Sequence, residues 1–284
     1  MIKASTFERR VMSKKTFDKL SRFITEQCGI KMPDAKKTML ESRINSRLRK
    51  LGFDSFEEYV EYLFSETGMK EELVPMIDIV TTNKTEFFRE DFHFDFLTAQ
   101  VLPEMAEKNR VGHQSRLSVW SAGCSTGQEP YTLSIVLSEF AEKFNGFDFT
   151  ILGTDISTRV LETAAKGVYD IEQIRKVDQK RRKKYFLKSK NPNKKIVRVK
   201  PELRSRVALR WLNFMEDFRF REKFDVIFCR NVMIYFDLPT RQKLVSKFCK
   251  QLNPGGYLFL GHSESLSGIN APVERVSASI YKLL

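Results

Sequence analysis

The chain has 284 residues, 42% of them hydrophobic, and a formal charge of +13. That length holds one large domain or two smaller ones, and the hydrophobic share is ordinary for a globular protein. No apolar run approaches the roughly 20 residues that a membrane-spanning helix needs, and no apolar block follows Lys3, Arg9 and Arg10, so no signal peptide is expected.

Cys28, Cys124, Cys229 and Cys249 lie far apart without a Cys-x-x-Cys pair, and His93, His113 and His262 have no metal-like spacing. Reduced cysteines, a cytoplasmic location, and neither a disulfide framework nor a metal are therefore expected. The charge is clustered. Residues 174–206 hold 15 Lys/Arg against two acidic residues, residues 1–50 hold 14 against five, and residues 51–91 hold three against 11. Two basic blocks and one acidic block suggest an acidic macromolecular partner: nucleic acid, protein or membrane surface.

In chain order, residues 14–110 read as helical. Phe17, Leu20, Phe23 and Ile24 recur at helical intervals, as do Met39, Ile44, Leu48 and Leu51, with Gly52 as a C-terminal stop. Ser55 with Glu58 resembles a capping box ahead of the stripe Tyr59, Tyr62 and Leu63. Further helices are predicted over about Lys70 to Val80 and about Glu90 to Glu107. On the helix from Lys36 to Lys50, Arg43, Arg47 and Lys50 share one face, with Arg49 beside them.

From Leu117 the texture changes to alternating strands and helices. Strands are predicted at 117–121, 147–154, 207–213, 224–229, 256–261 and about 276–283, and helices at 130–144, 158–166 and 240–251. Such alternation predicts a parallel sheet with helices on both faces. Residues 170–206 interrupt it and read as an insertion with a small β element. The predicted organisation is a helical domain over 1–90, a linking helix over 91–116 and an α/β domain over 117–284.

Ligands of such sheets bind at the carboxyl ends of the strands. The first strand runs into Gly123-Cys-Ser-Thr-Gly127, followed by Glu129 and Pro130. Neither G-x-G-x-x-G nor Gly-Lys-Ser/Thr is present, so this is neither the dinucleotide fingerprint nor a phosphate loop. A carboxylate at Glu129 suits a ligand carrying a cation, such as the amino group of S-adenosylmethionine. The second strand ends at Asp155, an acceptor for ribose hydroxyls or an N-cap of the next helix. The third ends at Asn213 and Phe214, suited to an adenine edge and face, with a turn role the alternative for Asn213. The fourth ends at Arg230-Asn231 and continues to Tyr235.

Four segments carry a wider resemblance: Thr-Thr-Asn-Lys-Thr-Glu-Phe-Phe-Arg (81–89), Ser-Ala-Gly-Cys-Ser-Thr-Gly-Gln-Glu-Pro-Tyr (121–131), Phe-Cys-Arg-Asn-Val-Met-Ile-Tyr-Phe (228–236) and Leu-Asn-Pro-Gly-Gly-Tyr-Leu-Phe-Leu-Gly-His-Ser-Glu (252–264). Together they resemble the chemotaxis receptor glutamate methyltransferases, the CheR family, over nearly the whole chain. The resemblance implies a Rossmann-like S-adenosylmethionine-dependent methyltransferase domain with a small β-subdomain insertion, preceded by an all-helical N-terminal domain. It implies methyl transfer to glutamate side chains of chemoreceptors, giving methyl esters and S-adenosylhomocysteine without a metal. Carried over by motif, Glu129 would contact the donor's amino group and Asp155 its ribose, while Asn213 and Phe214 would bracket the adenine. Asn83, Thr85, Arg89, Gly123, Arg230 and Asn231 would line the donor pocket, with Asn83, Thr85 and Arg89 coming from the helical side. Arg89 and Tyr235 would stand near the transferring methyl; a structural pair of Arg89 with Glu86 or Glu90 is the competing reading.

The resemblance also gives the basic helix a role: Arg43, Arg47, Arg49 and Lys50 would meet the receptor's cytoplasmic helical domain, with one family position for a basic residue filled by Ser46. A monomer without membrane insertion is expected. The alternative, a nucleic-acid methyltransferase using the basic surface, lacks the Asn/Asp-Pro-Pro-Tyr/Phe and Pro-Cys segments of such enzymes and has no aromatics interleaved with its basic runs.

Overall fold

The computed structural model describes residues 10–108, 111–112 and 115–284. Lys3, Arg9 and His113, considered above, lie outside the described residues. The chain forms two compact units, Met1–Thr82 and Asn83–Leu284. The helical unit thus closes at Thr82, ahead of the boundary drawn at residue 90.

The helical unit holds α1 (Lys14–Cys28), α2 (Lys37–Leu51), α3 (Phe56–Leu63), α4 (Glu66–Glu71) and α5 (Leu73–Val80). The caps explain the boundaries. Ser13 accepts the Thr16 amide at the start of α1, and left-handed Gly29 and Gly52 end α1 and α2. Ser55 accepts the Glu58 amide at 3.1 Å, but the Glu58 carboxylate reaches back to the Asp54 amide, one residue before the reciprocal partner of a capping box. One predicted helix over 70–80 is two. Pro75 has no amide to donate to the Glu71 carbonyl, so a continuous helix would be broken there, and the chain turns at buried Glu72.

The second unit opens with α6 (Phe92–Phe96), a π-helical turn (Leu97–Val101) and α7 (Leu102–Lys108), so the predicted linking helix is a segmented part of this unit. The sheet elements follow: β1 (Leu117–Ala122), α8 (Gln128–Ala141), β2 (Phe149–Asp155), α9 (Thr158–Lys166), β3 (Val168–Asp170), α10 (Gln179–Tyr185), β4 (Phe186–Lys188), β5 (Ile196–Val199), α11 (Pro201–Arg204), β6 (Val207–Trp211), β7 (Phe224–Cys229), α12 (Leu238–Gln251), β8 (Leu252–Leu260), β9 (Val273–Ser277) and β10 (Ile280–Leu283). The last predicted strand, about 276–283, covers β10 and the end of β9, which a turn at left-handed Ser279 separates into a hairpin.

A seven-stranded sheet runs β6-β2-β1-β7-β8-β10-β9, parallel through β8 and antiparallel at β10 and β9. Its two faces are built by alternation along each strand. Val119 packs in a core with Leu133 and Leu137 of α8 and Leu97, while the Trp120 ring faces the other way, edge-on to Phe218, Phe220 and Phe248. The chain leaves β1 toward β2 on one side and returns to β7 on the other. The carboxyl end of β1 is therefore the switch point where a crevice opens. The insertion forms its own three-stranded antiparallel sheet, β3-β5-β4, closed by α10 over Tyr169, Tyr185, Phe186, Val197 and Val199.

Candidate active site

The β1–α8 turn adopts backbone that its sequence makes accessible. Gly123 has φ of 85°, and a Cβ there would lie 2.5 Å from Val232 Cγ2. Gly127, φ 95°, caps α8, and a Cβ would meet Ala164 Cβ at 2.8 Å and the Tyr169 hydroxyl at 2.9 Å. Both positions require glycine. The turn is tied to β2: the Gly123 and Cys124 amides donate to the Thr154 carbonyl at 2.8 Å, and the Ser125 amide donates to Asp155 Oδ2 at 2.8 Å. Asp155 Oδ1 accepts the Ser157 amide at 2.9 Å. Ser157, not Asp155, caps α9. The Ser125 hydroxyl donates to the Asn83 carbonyl at 2.9 Å, bringing the 83–90 segment to the same turn.

Beside it lies a buried knot of charge. Glu129, on the first turn of α8, accepts the Ser121 hydroxyl at 2.7 Å and Arg230 Nη1 at 3.2 Å. Arg230 leaves β7 with its side chain 2% exposed. Its Nη2 donates to Glu90 Oε2 at 3.2 Å and to the Arg89 carbonyl, its guanidinium stands 5.4 Å over the Phe94 ring, and its Nε has no partner among the described residues. Glu90 also accepts Asn231 Nδ2 and the His262 amide, at 3.2 and 3.1 Å. Behind Asn231, the Glu264 carboxylate takes the amides of Asn231, Gly261 and Ile234. A Cβ on Gly261 would lie 2.7 Å from both Asn231 Nδ2 and Glu264 Oε2, so glycine is required for these strand ends to close.

Burial pushes the Glu129 carboxyl up, against the opposing pull of Arg230. Burial would also raise Glu90, but Arg230 and the Asn231 hydrogen bond outweigh it and hold this carboxyl below its usual range. His93, wholly buried and 3.0 Å from the Ser279 hydroxyl through Nε2, is pushed down to about 3 by burial, with Arg230 adding to the effect. The thiols of Cys124 and Cys229 are buried against the turn and the end of β7. Burial raises both well above the ordinary thiol value, assisted at Cys124 by Asp155 and Glu129, and at Cys229 by Glu264 and Glu129.

Four of the five non-glycine residues with left-handed backbone among the described residues gather here, the fifth being Ser279 in the β9–β10 turn. Phe88 and Glu90 have φ of 54°, Ser125 50° and Asn231 58°. Such conformations cost about 1–3 kcal/mol each and persist where surrounding contacts over-determine them, as at functional sites. Arg89 lies between two of them, half-buried, with Nη1 2.9 Å from the Lys84 carbonyl and Nε 4.0 Å from Glu90. Tyr235 is half-buried at the end of a 3₁₀ turn, Met233–Tyr235, whose Ile234 amide Glu264 anchors. After β6, Asn213 is buried and accepts the Met215 amide at 3.0 Å, and the Phe214 ring stands 5.8 Å from Phe248.

Residues 83–282 match the family model described as the CheR methyltransferase SAM-binding domain, and residues 15–81 match the CheR methyltransferase all-alpha domain. The chain belongs to the CheR methyltransferase family. Relatives named chemotaxis protein methyltransferase include one from Borreliella burgdorferi, 41% identical over 272 residues and 94% of each chain. One from Klebsiella aerogenes is 37% identical over 99% of this chain and 93% of its own. Chemotaxis protein methyltransferase 1 of Pseudomonas aeruginosa is 37% identical over 93% of this chain and 94% of its own. The chain is accordingly an S-adenosylmethionine-dependent methyltransferase, with a Rossmann-like unit that binds the donor and an all-helical unit before it. No helix among the described residues is long and apolar enough to cross a membrane.

Asn83, Thr85 and Arg89, expected from the helical side, belong instead to the sheet unit that carries the other candidate donor-site residues. That unit brings Asn83, Gly123, Glu129, Asp155, Arg230 and Asn231 to adjoining strand ends. Thr85 lies half-buried on the segment that also carries Arg89. In the helical unit the four basic residues expected to meet a receptor divide into two pairs. Arg43 donates to the Val80 and Thr81 carbonyls at the end of α5, and Arg47 is paired with Glu72, so both guanidiniums serve packing. Arg49 and Lys50 are exposed. Their shared spacing on α2 placed these residues on one stretch of helix without revealing that α5 covers part of it. Glu90 and Glu264 were not singled out for a role by sequence reasoning, although Glu264 closes the fourth matching segment.

Proposed function

We propose that this enzyme transfers the methyl group of S-adenosylmethionine to glutamate side chains in the cytoplasmic helical domain of a chemoreceptor, leaving glutamate methyl esters and S-adenosylhomocysteine. The observation that carries the reading is the pair of carboxylates at neighbouring strand ends around a glycine turn, Asp155 buried and the Glu129 side chain 12% exposed. A buried anion whose carboxyl is raised by desolvation gains most from a cationic ligand, and an ammonium beside Glu129 meets that need. Asp155 Oδ2 accepts the Ser125 amide and Oδ1 the Ser157 amide, contacts that fix the carboxylate at the strand end where ribose hydroxyls would approach. Asn213 and Phe214 offer an adenine a polar edge and an apolar face, and Asn83, Thr85, Gly123, Arg230 and Asn231 complete the pocket.

Bound there, the donor supplies an electrophilic methyl on a sulfonium centre. A glutamate acceptor has a pKa of about 4.3 and is already ionised near neutral pH, so no residue of this chain has to remove a proton and no metal is required. Arg89 pairs with the acceptor carboxylate, the Tyr235 hydroxyl orients it, and the enzyme's contribution is alignment. On the helical unit, Arg49 and Lys50 attract the acidic receptor surface.

Labelled methyl transfer into receptor-containing membranes, scored as base-labile ester, tests the reaction; label in RNA, or donor binding without transfer, would overturn it. Arg49→Glu combined with Lys50→Glu should lower receptor methylation roughly tenfold, the scale of two rim charges, with donor affinity unchanged. Unaltered methylation would remove these residues from receptor recognition.

A further inference from the structure

Residues 86–90, Glu-Phe-Phe-Arg-Glu, form a strap held at both ends. At the first end the inserted subdomain grips it: Lys176 pairs with Glu86 at 2.6 Å, and Phe87 is buried edge-on to Tyr169 and Phe186 at 5.1 and 5.4 Å. The Arg181 guanidinium lies 4.7 Å over the Phe88 ring while bound to Glu139. At the other end Glu90 accepts from Arg230, Asn231 and the His262 amide, groups that follow β7 and β8. Arg89 lies between, flanked by residues with φ of 54°, its carbonyl taken by Arg230.

A non-glycine residue stays left-handed only while something holds it there. For Glu90 the holders are its own carboxylate contacts, which reach residues 140 and 172 positions away in the chain. Those contacts leave its carboxylate engaged with the protein, and the chemistry above asks nothing of it as acid or base. We infer that Glu90 is a positioning residue: by locking the left-handed end of the strap onto the strand ends, it sets the direction in which Arg89 presents its guanidinium to the acceptor. The inference rests on the proposed role of Arg89.

The test is a mutant cycle on the full chain, read by single-turnover methylation, acceptor KM and donor Kd for Glu90→Ala, Glu90→Gln, Arg89→Ala and the double Arg89→Ala/Glu90→Ala. Arg89→Ala should lower the rate roughly 100-fold, as loss of one preorganised charge contact does. Glu90→Ala should lower it roughly 10- to 100-fold while donor Kd stays within about threefold, and Glu90→Gln, which keeps two acceptor sites, should recover part of the loss. In the Arg89→Ala background Glu90→Ala should cost nothing further. An equal loss in both backgrounds, or a wild-type rate in Glu90→Ala, overturns the positioning role. Full activity in Arg89→Ala instead removes the reading of Arg89 itself. If Glu90→Ala does not fold, the same cycle with Glu90→Gln decides.

Discussion

Each unit of the molecule buries an arginine against carboxylate, and the two arrangements differ in kind. In the helical unit Arg47 meets Glu72 through Nε at 2.7 Å and through Nη2, and the Tyr59 hydroxyl caps the same carboxylate at 2.9 Å. The pair is closed. Its residues have right-handed backbone, Arg47 on α2 and Glu72 in the turn between α4 and α5, and the Glu72 side chain is 2% exposed. In the sheet unit Arg230 spreads one guanidinium over two carboxylates and a carbonyl, has no partner for Nε among the described residues, and relies on one partner, Glu90, with left-handed backbone. Both would be scored as buried ion pairs. Only the second has unmet polar capacity and strain gathered where a ligand would arrive, and that, rather than burial of charge, distinguishes a site from a scaffold.

The contrast can be broken most forcefully at Arg47. Arg47→Ala leaves Glu72 buried without its cation and should cost about 3–5 kcal/mol of stability, measured by denaturant unfolding of the full chain, with donor affinity unchanged once folded. A loss below about 1 kcal/mol, typical of an exposed pair, would erase the distinction. At the site the sign reverses: Asp155→Ala should weaken donor binding roughly 30- to 150-fold, or about 2–3 kcal/mol, by removing charge-assisted hydrogen bonds. Calorimetry showing affinity within a few-fold of wild type would exclude Asp155 from the donor site.

The third comparison concerns acid. His93 titrates near its ordinary value of 6.5 when unfolded but at about 3 when folded. Between those values the unfolded chain binds the extra proton, so stability rises with pH in this window. The contribution is intact above pH 6.5 and is lost as pH falls from there toward 3. From pH 7 to pH 5 it amounts to about 2 kcal/mol, at roughly 1.4 kcal/mol per pK unit. His93→Leu should narrow the difference in unfolding free energy between those two pH values by that amount, whatever its absolute stability. An unchanged difference would mean that His93 takes up a proton in the folded state.

Much of the sheet unit was legible in the sequence because its signals are local. Gly123, Gly127 and Pro130 mark a turn into a helix within eight residues of one another, and Asp155 and Arg230 follow apolar runs that can only be strands. The helical unit was legible in outline through Gly52 and Ser55, each a cap with a short-range cause. What escaped is non-local. The spacing of Arg43 and Arg47 shows which stretch of helix they share, but their partners, the end of α5 and Glu72, are 25 to 38 residues away. The break at Pro75 was readable and outweighs the periodicity around it. Glu90 entered the sequence reading only as a pair for Arg89; its contacts with the strand ends gave no sign, since positive φ in a glutamate has no sequence signature and its three donors come from two distant strand ends.

The sulfhydryls of Cys124 and Cys229 deserve a last thought beside a reagent that alkylates nucleophiles. Sulfur is the softest nucleophile a protein possesses, yet only its deprotonated form attacks readily. Surrounded by hydrocarbon and by negative charge, both groups keep their protons at neutral pH. If the acceptor is a glutamate carboxylate, as proposed, these two thiols would not compete with it for the donor's methyl group.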